Sequence, residues 1–166
     1  RGTHADRATK IGNGNHIMEK VHICHDADIH DNTVLGIATI IAGNTVIENE
    51  AILSNLVVLH EGNRIGRLSL IPSGCRVQKD VPPYIITSGN PVVYHGVNAK
   101  ILANYNNVSE RILRHIANAY RLVFNGDTSI EDAVMKIKEQ IPQSEEISNI
   151  VRFIETSKQG IIQAEY

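Results

Sequence analysis

An aliphatic side chain recurs at every sixth position from Ile11 to Val77: Ile11, Ile17, Ile23, Ile29, Leu35, Ile41, Ile47, Leu53, Leu59, Ile65, Ile71 and Val77, without a gap. With aliphatics at about a quarter of positions, such a run has a chance probability on the order of 10⁻⁷. An interval of six is neither the 3.6-residue period of a helix nor the two-residue period of a strand. A three-sided coil, with one short strand and one turn per side, needs one inward aliphatic per side. The period therefore predicts a parallel β-helix.

Two residues before each aliphatic stands a small or modest side chain: Thr9, Asn15, Val21, Ala27, Thr33, Thr39, Thr45, Ala51, Val57, Asn63, Ser69 and Cys75. Residues two apart on a strand face the same way, so small and large side chains together fill a narrow triangular core. Asn13-Gly14, Asp31-Asn32 and Gly43-Asn44 suit the corners, because these residues tolerate left-handed backbone angles. Burying each aliphatic contributes roughly 1.5–3 kcal/mol before conformational entropy is subtracted.

The repeat is expected to end at Asp80-Val81-Pro82-Pro83-Tyr84, where two prolines remove donors that a further rung would use. A helical region follows. Ser109 can cap a helix carrying Ile112, Ile116, Ala117, Tyr120 and Val123, closed by Asn125-Gly126. Thr128-Ser129-Ile130-Glu131 reads as a capping box opening a second helix toward Pro142. Ser144 opens a third, with Ile147, Ile150, Val151 and Ile154 on its apolar face and Gly160 near its end. The expected architecture is mainly β: a β-helix over 1–88, then a hinge and a small C-terminal α-helical domain over 89–166.

At 166 residues, with 42% hydrophobic content and a net charge of −2, the chain has room for one domain and an appendage. It contains no apolar run long enough to span a membrane, and its start does not resemble a signal peptide. Cys24 and Cys75 lack a framework of partners, which points to a reduced, cytoplasmic setting. Without a Lys/Arg stripe to neutralise phosphates, nucleic acid is not an expected partner. The first residue is Arg1 rather than Met, and the repeat is already running by Thr9, so the chain is expected to begin part-way through a longer protein.

Three hexapeptides make one coil, so residues eighteen apart stack on one corner, about 4.8 Å apart. Cys24-His25-Asp26, Ala42-Gly43-Asn44 and His60-Glu61-Gly62 then share a corner, with His22 facing outward one short strand away. A histidine beside a carboxylate can act as a general base, the carboxylate orienting the ring and stabilising the imidazolium. His25 with Asp26 fits that role, provided the two meet at a corner or through a neighbouring chain. Gly43 can bring a bare backbone N–H to a developing oxyanion. The bland reading is that histidines at β-helix corners merely fill a trimer interface. His22, His25 and His60 could alternatively hold zinc between subunits, as in the trimeric β-helix carbonic anhydrases, but the Pro-Pro hinge and helical domain have no reason to exist there. Cys24 is conceivable as a thiol nucleophile, yet Ser, Thr or Ala would fit the same slot and a hydroxyl acceptor needs no covalent intermediate.

His22-Ile23-Cys24-His25-Asp26, Ile41-Ala42-Gly43, His60, Asp80-Val81-Pro82-Pro83-Tyr84, Gly96-Val97-Asn98 and the segment Asn118-Ala119-Tyr120-Arg121-Leu122-Val123-Phe124 carry a resemblance to a known family. They resemble the acyl-carrier-protein-dependent UDP-N-acetylglucosamine O-acyltransferases, which perform the first committed step of lipid A synthesis. The resemblance implies a left-handed parallel β-helix, a homotrimer with clefts between neighbouring helices, and no cofactor or metal. It implies that His25 removes the proton from the sugar 3-hydroxyl with Asp26 in support. That hydroxyl attacks the thioester of a 3-hydroxyacyl chain on acyl carrier protein, and the Gly43 N–H stabilises the oxyanion. It places His22, Asn44, His60, Glu61 and Asn98 along the cleft or against UDP-N-acetylglucosamine, and Ser73 near the acyl-chain ruler. The chain departs from the family pattern in having Asn44 for His after the Ala-Gly pair and Glu61 for Gln after the later His. Residues 103–107, Ala-Asn-Tyr-Asn-Asn, stand where a basic cluster is expected, and the family's N-terminal coils fall outside this sequence. A paralogous β-helix acyltransferase with a different acceptor or donor, or an inactive β-helix scaffold, are the competing readings.

Overall fold

The computed structural model describes residues 1–105 and 108–165; Asn106 and Asn107, part of the segment that replaces the expected basic cluster, lie outside the described residues. From Lys10 to Val77 the chain forms two-residue strands at six-residue intervals: β1 Lys10–Ile11, β2 His16–Ile17, β3 His22–Ile23, β4 Asp28–Ile29, β5 Val34–Leu35, β6 Ile40–Ile41, β7 Val46–Ile47, β8 Ile52–Leu53, β9 Val58–Leu59, β10 Arg64–Ile65, β11 Leu70–Ile71 and β12 Arg76–Val77. Every third strand pairs in parallel. Face I is β1-β4-β7-β10, face II runs β2-β5-β8-β11, and face III is β3-β6-β9-β12. The register, for example His22↔Ile40 and Ile40↔Val58, is the eighteen-residue coil anticipated from the sixfold period. The fold is a left-handed parallel β-helix.

The second residue of each strand points inward, and from Ile29 to Val77 these aliphatics are buried. Ile11 and Ile17 are instead exposed, because they sit on the first described coil and pack on one side only. The inward small positions satisfy their polar atoms locally. Thr45 donates its hydroxyl to the Ala42 carbonyl at 2.6 Å and Thr39 to the Ser54 carbonyl at 3.1 Å, removing the penalty for burying them.

Each corner places one residue at positive φ, three positions after the inward aliphatic: Gly14, Lys20, Asp26, Asn32, Ala38, Asn44, Glu50, Leu56, Gly62, Leu68 and Gly74. Gly14, Asn32 and Asn44 are the residues that composition marks for this job. Ala38, Leu56 and Leu68 are not, and each bears a left-handed cost of about 1–2 kcal/mol. The stacked coils impose the angle regardless of side chain.

The prolines do not stop the β-helix where expected. Val81 still pairs with Ile65, its N–H donating to the Arg64 carbonyl at 2.9 Å and its carbonyl accepting from Gly66 N–H at 2.8 Å. Pro82 and Pro83 pass close over Gly66, where a Cβ would lie 2.3 Å from the Pro83 nitrogen. The chain then re-enters face II as β13 (Ile85–Ser88), parallel to β11, and turns back antiparallel as β14 (Val93–Val97). That hairpin carries the sheet past residue 88. A short helix that periodicity did not signal, α1 (Ala99–Tyr105), follows.

Three further helices close the molecule: α2 (Glu110–Phe124), α3 (Ile130–Gln140) and α4 (Glu145–Thr156). Ser109 and Ser144 cap α2 and α4 as expected, accepting from the Ile112 and Ile147 N–H groups. For α3 the cap is Ser129 rather than Thr128, accepting from Asp132 N–H at 3.2 Å. On α2, Ile116, Tyr120 and Val123 are buried as expected, but Ala117 is exposed and Ala119 takes its place in the core. The hinge residues fasten the helices to the coils. Tyr120 donates its hydroxyl to the Pro83 carbonyl, and Asn149 donates to the Tyr84 hydroxyl at 2.7 Å. Asp80 is buried, accepting from Arg64 N–H at 2.9 Å and from the Ser157 hydroxyl at 2.6 Å. Among the described residues, no helix is long and apolar enough to cross a membrane.

Candidate active site

His25 and Asp26 occupy the corner between face III and face I, just after β3. Adjacent residues on a strand would diverge, but Asp26 has φ +57°, and this left-handed turn brings the two side chains to one side. His25 Nδ1 lies 3.0 Å from Asp26 Oδ2; the histidine side chain is 44% exposed and the aspartate 4%. Asp26 also accepts from the Thr3 hydroxyl at 2.6 Å and from the Thr3 backbone N–H at 3.2 and 3.3 Å. The Thr3 hydroxyl, and then the His25 contact, hold the Asp26 carboxyl down at about 2 against its ordinary 3.8, with desolvation opposing them. An ionised carboxylate only accepts, so His25 Nδ1 carries a proton toward it in the neutral ring and Nε2 keeps its lone pair.

Gly43, one coil above, packs against that ring. A Cβ on Gly43 would lie 2.5 Å from His25 Cε1 and Nε2 and 3.0 Å from Nδ1. Only a residue without a side chain lets the imidazole occupy this place.

Some N–H groups of the β-helix corners are capped by a side chain one coil on. At three positions the second residue after the aliphatic donates to the Asp or Asn side chain eighteen residues on. Asn13 donates to Asp31 Oδ1 at 2.8 Å, Asp31 to Asn49 Oδ1 at 2.9 Å and Ile37 to Asn55 Oδ1 at 2.8 Å. On the His25 corner the successors are Gly43, which has nothing to offer, and Glu61, whose Oε1 accepts instead from Asn44 Nδ2 at 3.1 Å. The N–H groups of His25 and Gly43 are therefore not capped in this way. Amide dipoles not capped by a side chain are suited to stabilising negative charge.

Asn44 and Glu61, two of the departures from the expected pattern, are thus one hydrogen-bonded pair bridging consecutive coils. His60 is half-buried on the same corner, its N–H donating to Asn63 Oδ1 at 3.0 Å and to the Val77 carbonyl at 3.1 Å. His22 is exposed on the outer side of β3. The remaining expected residues lie elsewhere. Ser73 is exposed on the corner between faces II and III. Asn98 is buried beside the corner between faces I and II, donating from Nδ2 to the Leu68 carbonyl at 3.0 Å and from its N–H to the Tyr84 carbonyl at 2.8 Å. Its own carbonyl accepts from Leu102 N–H at 3.1 Å. His25, Asp26, Gly43, Asn44 and Glu61 come together on the first corner with His60 beside them and His22 on the adjoining strand, whereas Ser73 and Asn98 stand on the two other corners of the same chain. Among the described residues, no group of three or more His, Cys, Asp or Glu is placed to hold a metal ion.

The loop before β1 supplies what sequence reasoning missed. Thr3 belongs to no hexapeptide, so no spacing relates it to Asp26. Asp6, Arg7, Ala8 and Lys10 join Asp26, Asp28 and Asn44 around a surface cavity of about 270 Å³.

Residues 80–162 match the family model described as UDP-N-acetylglucosamine O-acyltransferase, domain 2. Over 164 residues the chain is 33% identical to the acyl-[acyl-carrier-protein]–UDP-N-acetylglucosamine O-acyltransferase of Syntrophobacter fumaroxidans, covering 98% of this chain and 63% of that one. A crystal structure of a UDP-N-acetylglucosamine acyltransferase from Bacteroides fragilis superposes with a TM-score of 0.94 at 41% identity, covering 98% and 63% of the two chains. The Arabidopsis UDP-N-acetylglucosamine acyltransferase superposes with a TM-score of 0.88 at 26% identity, covering 98% and 59%. The chain thus spans somewhat under two thirds of the length of these relatives.

Proposed function

The chain belongs to the UDP-N-acetylglucosamine O-acyltransferase family, and from that premise we propose that the whole protein moves a 3-hydroxyacyl chain from acyl carrier protein to the 3-hydroxyl of UDP-N-acetylglucosamine, the first step of lipid A biosynthesis. It does so as a cytoplasmic homotrimer. The observation that carries the reading is the Asp26-held His25 ring lying on Gly43.

His25 Nε2 takes the proton of the sugar 3-hydroxyl as its oxygen attacks the thioester carbonyl. The imidazolium so formed is stabilised by Asp26, which stays ionised because of its Thr3 bonds. Charge on the tetrahedral oxygen is met by the Gly43 N–H. Collapse breaks the carbon–sulfur bond, and His25 returns the proton to the departing thiolate of the carrier. His22, His60, Asn44 and Glu61 bind the sugar nucleotide around this centre, and Ser73 limits the acyl chain from a second corner. Asn98, being buried, shapes the wall through its bonds to Leu68 and Tyr84.

The spread of these residues over three corners supports the trimer. One chain cannot fold its three corners together, so a cleft that uses them all takes its far wall from a neighbouring copy.

The Asn44–Glu61 hydrogen bond favours a second reading, a β-helix acyltransferase of the same mechanism with a changed acceptor. A carboxylate beside the acceptor site repels a diphosphate and attracts an amine. Acyl transfer by the full-length protein from 3-hydroxyacyl carrier protein, with His25→Ala alongside, tests both. Turnover lost in the variant supports the base. No turnover by wild type over several chain lengths transfers the case to another acceptor or donor.

A further inference from the structure

We propose that Thr3 is a positioning residue for the general base: its hydroxyl and backbone N–H lock the Asp26 carboxylate in the one orientation that fixes the His25 ring. The inference rests on the acyltransferase reading for its consequence in turnover, but not for its geometry.

Besides His25, Thr3 is the residue whose groups hold the Asp26 carboxylate through hydrogen bonds. The Asp26 backbone is left-handed at φ +57°, and its backbone N–H is occupied by Thr9 Oγ1 at 3.0 Å and the Arg1 carbonyl at 3.1 Å, so the backbone fixes Cα but not the carboxylate plane. A carboxylate's χ2 is intrinsically broad, because terminal sp³–sp² torsions are, and the plane is set by the donors around it. Without them a turn about χ2 would take Oδ2 away from His25 Nδ1. The Thr3 bonds reach both oxygens, Oδ1 at 3.2 Å and Oδ2 at 2.6 and 3.3 Å. Oδ2 is then shared between the Thr3 hydroxyl and His25 Nδ1 at 3.0 Å. These four bonds, from three donor groups, define a plane and a rotamer, and the histidine tautomer follows from them.

The loop is built to present Thr3 there. Gly2 lies so close to the Arg7 carbonyl that a Cβ would be 1.9 Å from its oxygen, and Arg7 N–H donates back to the His4 carbonyl at 3.1 Å.

The test uses the full-length protein with Thr3→Val, which keeps shape and removes the hydroxyl, and Thr3→Ser, which restores it. Thr3→Val is expected to lower kcat by about tenfold to a hundredfold with KM for both substrates little changed, because a small misplacement of a base costs rate rather than binding. Thr3→Ser should recover most of it. In the substrate-free protein, ¹⁵N shifts of His25 should report the Nδ1–H tautomer in wild type and Thr3→Ser, and a mixture with Nε2–H in Thr3→Val. A Thr3→Val protein with wild-type kcat and tautomer overturns the proposal, as does a loss that Thr3→Ser fails to repair. A wild type that acylates no sugar nucleotide, yet shows the Thr3-dependent tautomer, sinks the acyltransferase reading and supports the role of Thr3.

Discussion

At Gly43 the requirements of the β-helix and of the site meet in one backbone atom, because the His25 ring rests where any side chain would be. Gly43→Ala keeps the N–H and adds only a methyl. The obstructing group is a flexible ring that is 44% exposed, so it can swing into solvent at little cost in stability. The expected result is a loss of about a hundredfold in kcat with a melting temperature close to wild type; an active Gly43→Ala enzyme would mean the ring is not where the base works. Asp26 offers a pH test. Its folded-state pKa lies at about 2, below the 3.8 of the unfolded chain, so its contribution to stability is complete above about pH 4 and disappears as pH falls through the folded value. In urea titrations Asp26→Asn should therefore unfold earlier than wild type at pH 5, with the gap closing between pH 4 and 2; a gap that persists at the acid end refutes the linkage. The sequence made His25, Asp26 and Gly43 legible as a group because a strict period converts number into position. It could not show Thr3, which lies in an aperiodic loop, nor that Asn44 and Glu61 act as one pair, since type alone does not say which side chains bond across a coil.

Periodicity also explains which elements were legible. Strand positions, register and the inward aliphatics follow from the interval of six, and two helix starts follow from Ser109 and Ser144 standing before amphipathic runs. The hairpin β13–β14 was hidden because its pairing depends on the chain re-entering face II after two prolines. The prolines mark a change in how donors are supplied rather than the end of the coil. Asp80 takes over part of that task, accepting from the Arg64 N–H inside the β-helix while its other oxygen holds Ser157 beyond α4. Arg64 in turn stacks its guanidinium 4.2 Å over the Phe153 ring and donates to Thr156. Asp80→Ala should then leave a backbone N–H and a hydroxyl without acceptors and lower unfolding stability by about 2–3 kcal/mol. Asp80→Asn keeps one acceptor and should lose less. Urea midpoints of the two variants decide it, and equal losses would show that the carboxylate's bond to the β-helix is not the stabilising one.

At the scale of the whole molecule, an apolar stripe is left on the surface of the β-helix. Leu56 sits at positive φ and is 61% exposed, so an isolated chain bears the left-handed cost and leaves an apolar side chain in water. Ile37 is exposed on the same corner, which also carries Ser73, and Ile40 on the outer surface of face III, toward the His25 corner. A neighbouring β-helix packed there would bury this stripe and at the same time wall the surface along which an acyl chain could run from His25 toward Ser73. Leu56→Asp discriminates between the alternatives. If the stripe is an interface, a carboxylate at its centre leaves a desolvated, unpaired charge, and sedimentation should show the trimer giving way to monomer as acyl transfer is lost, while the β-helix circular dichroism persists. If the chain works alone, replacing an exposed leucine by aspartate changes stability by no more than about 0.5 kcal/mol and leaves turnover intact. A variant that stays trimeric and active would remove this stripe from the interface and require the far wall of the cleft to come from another face.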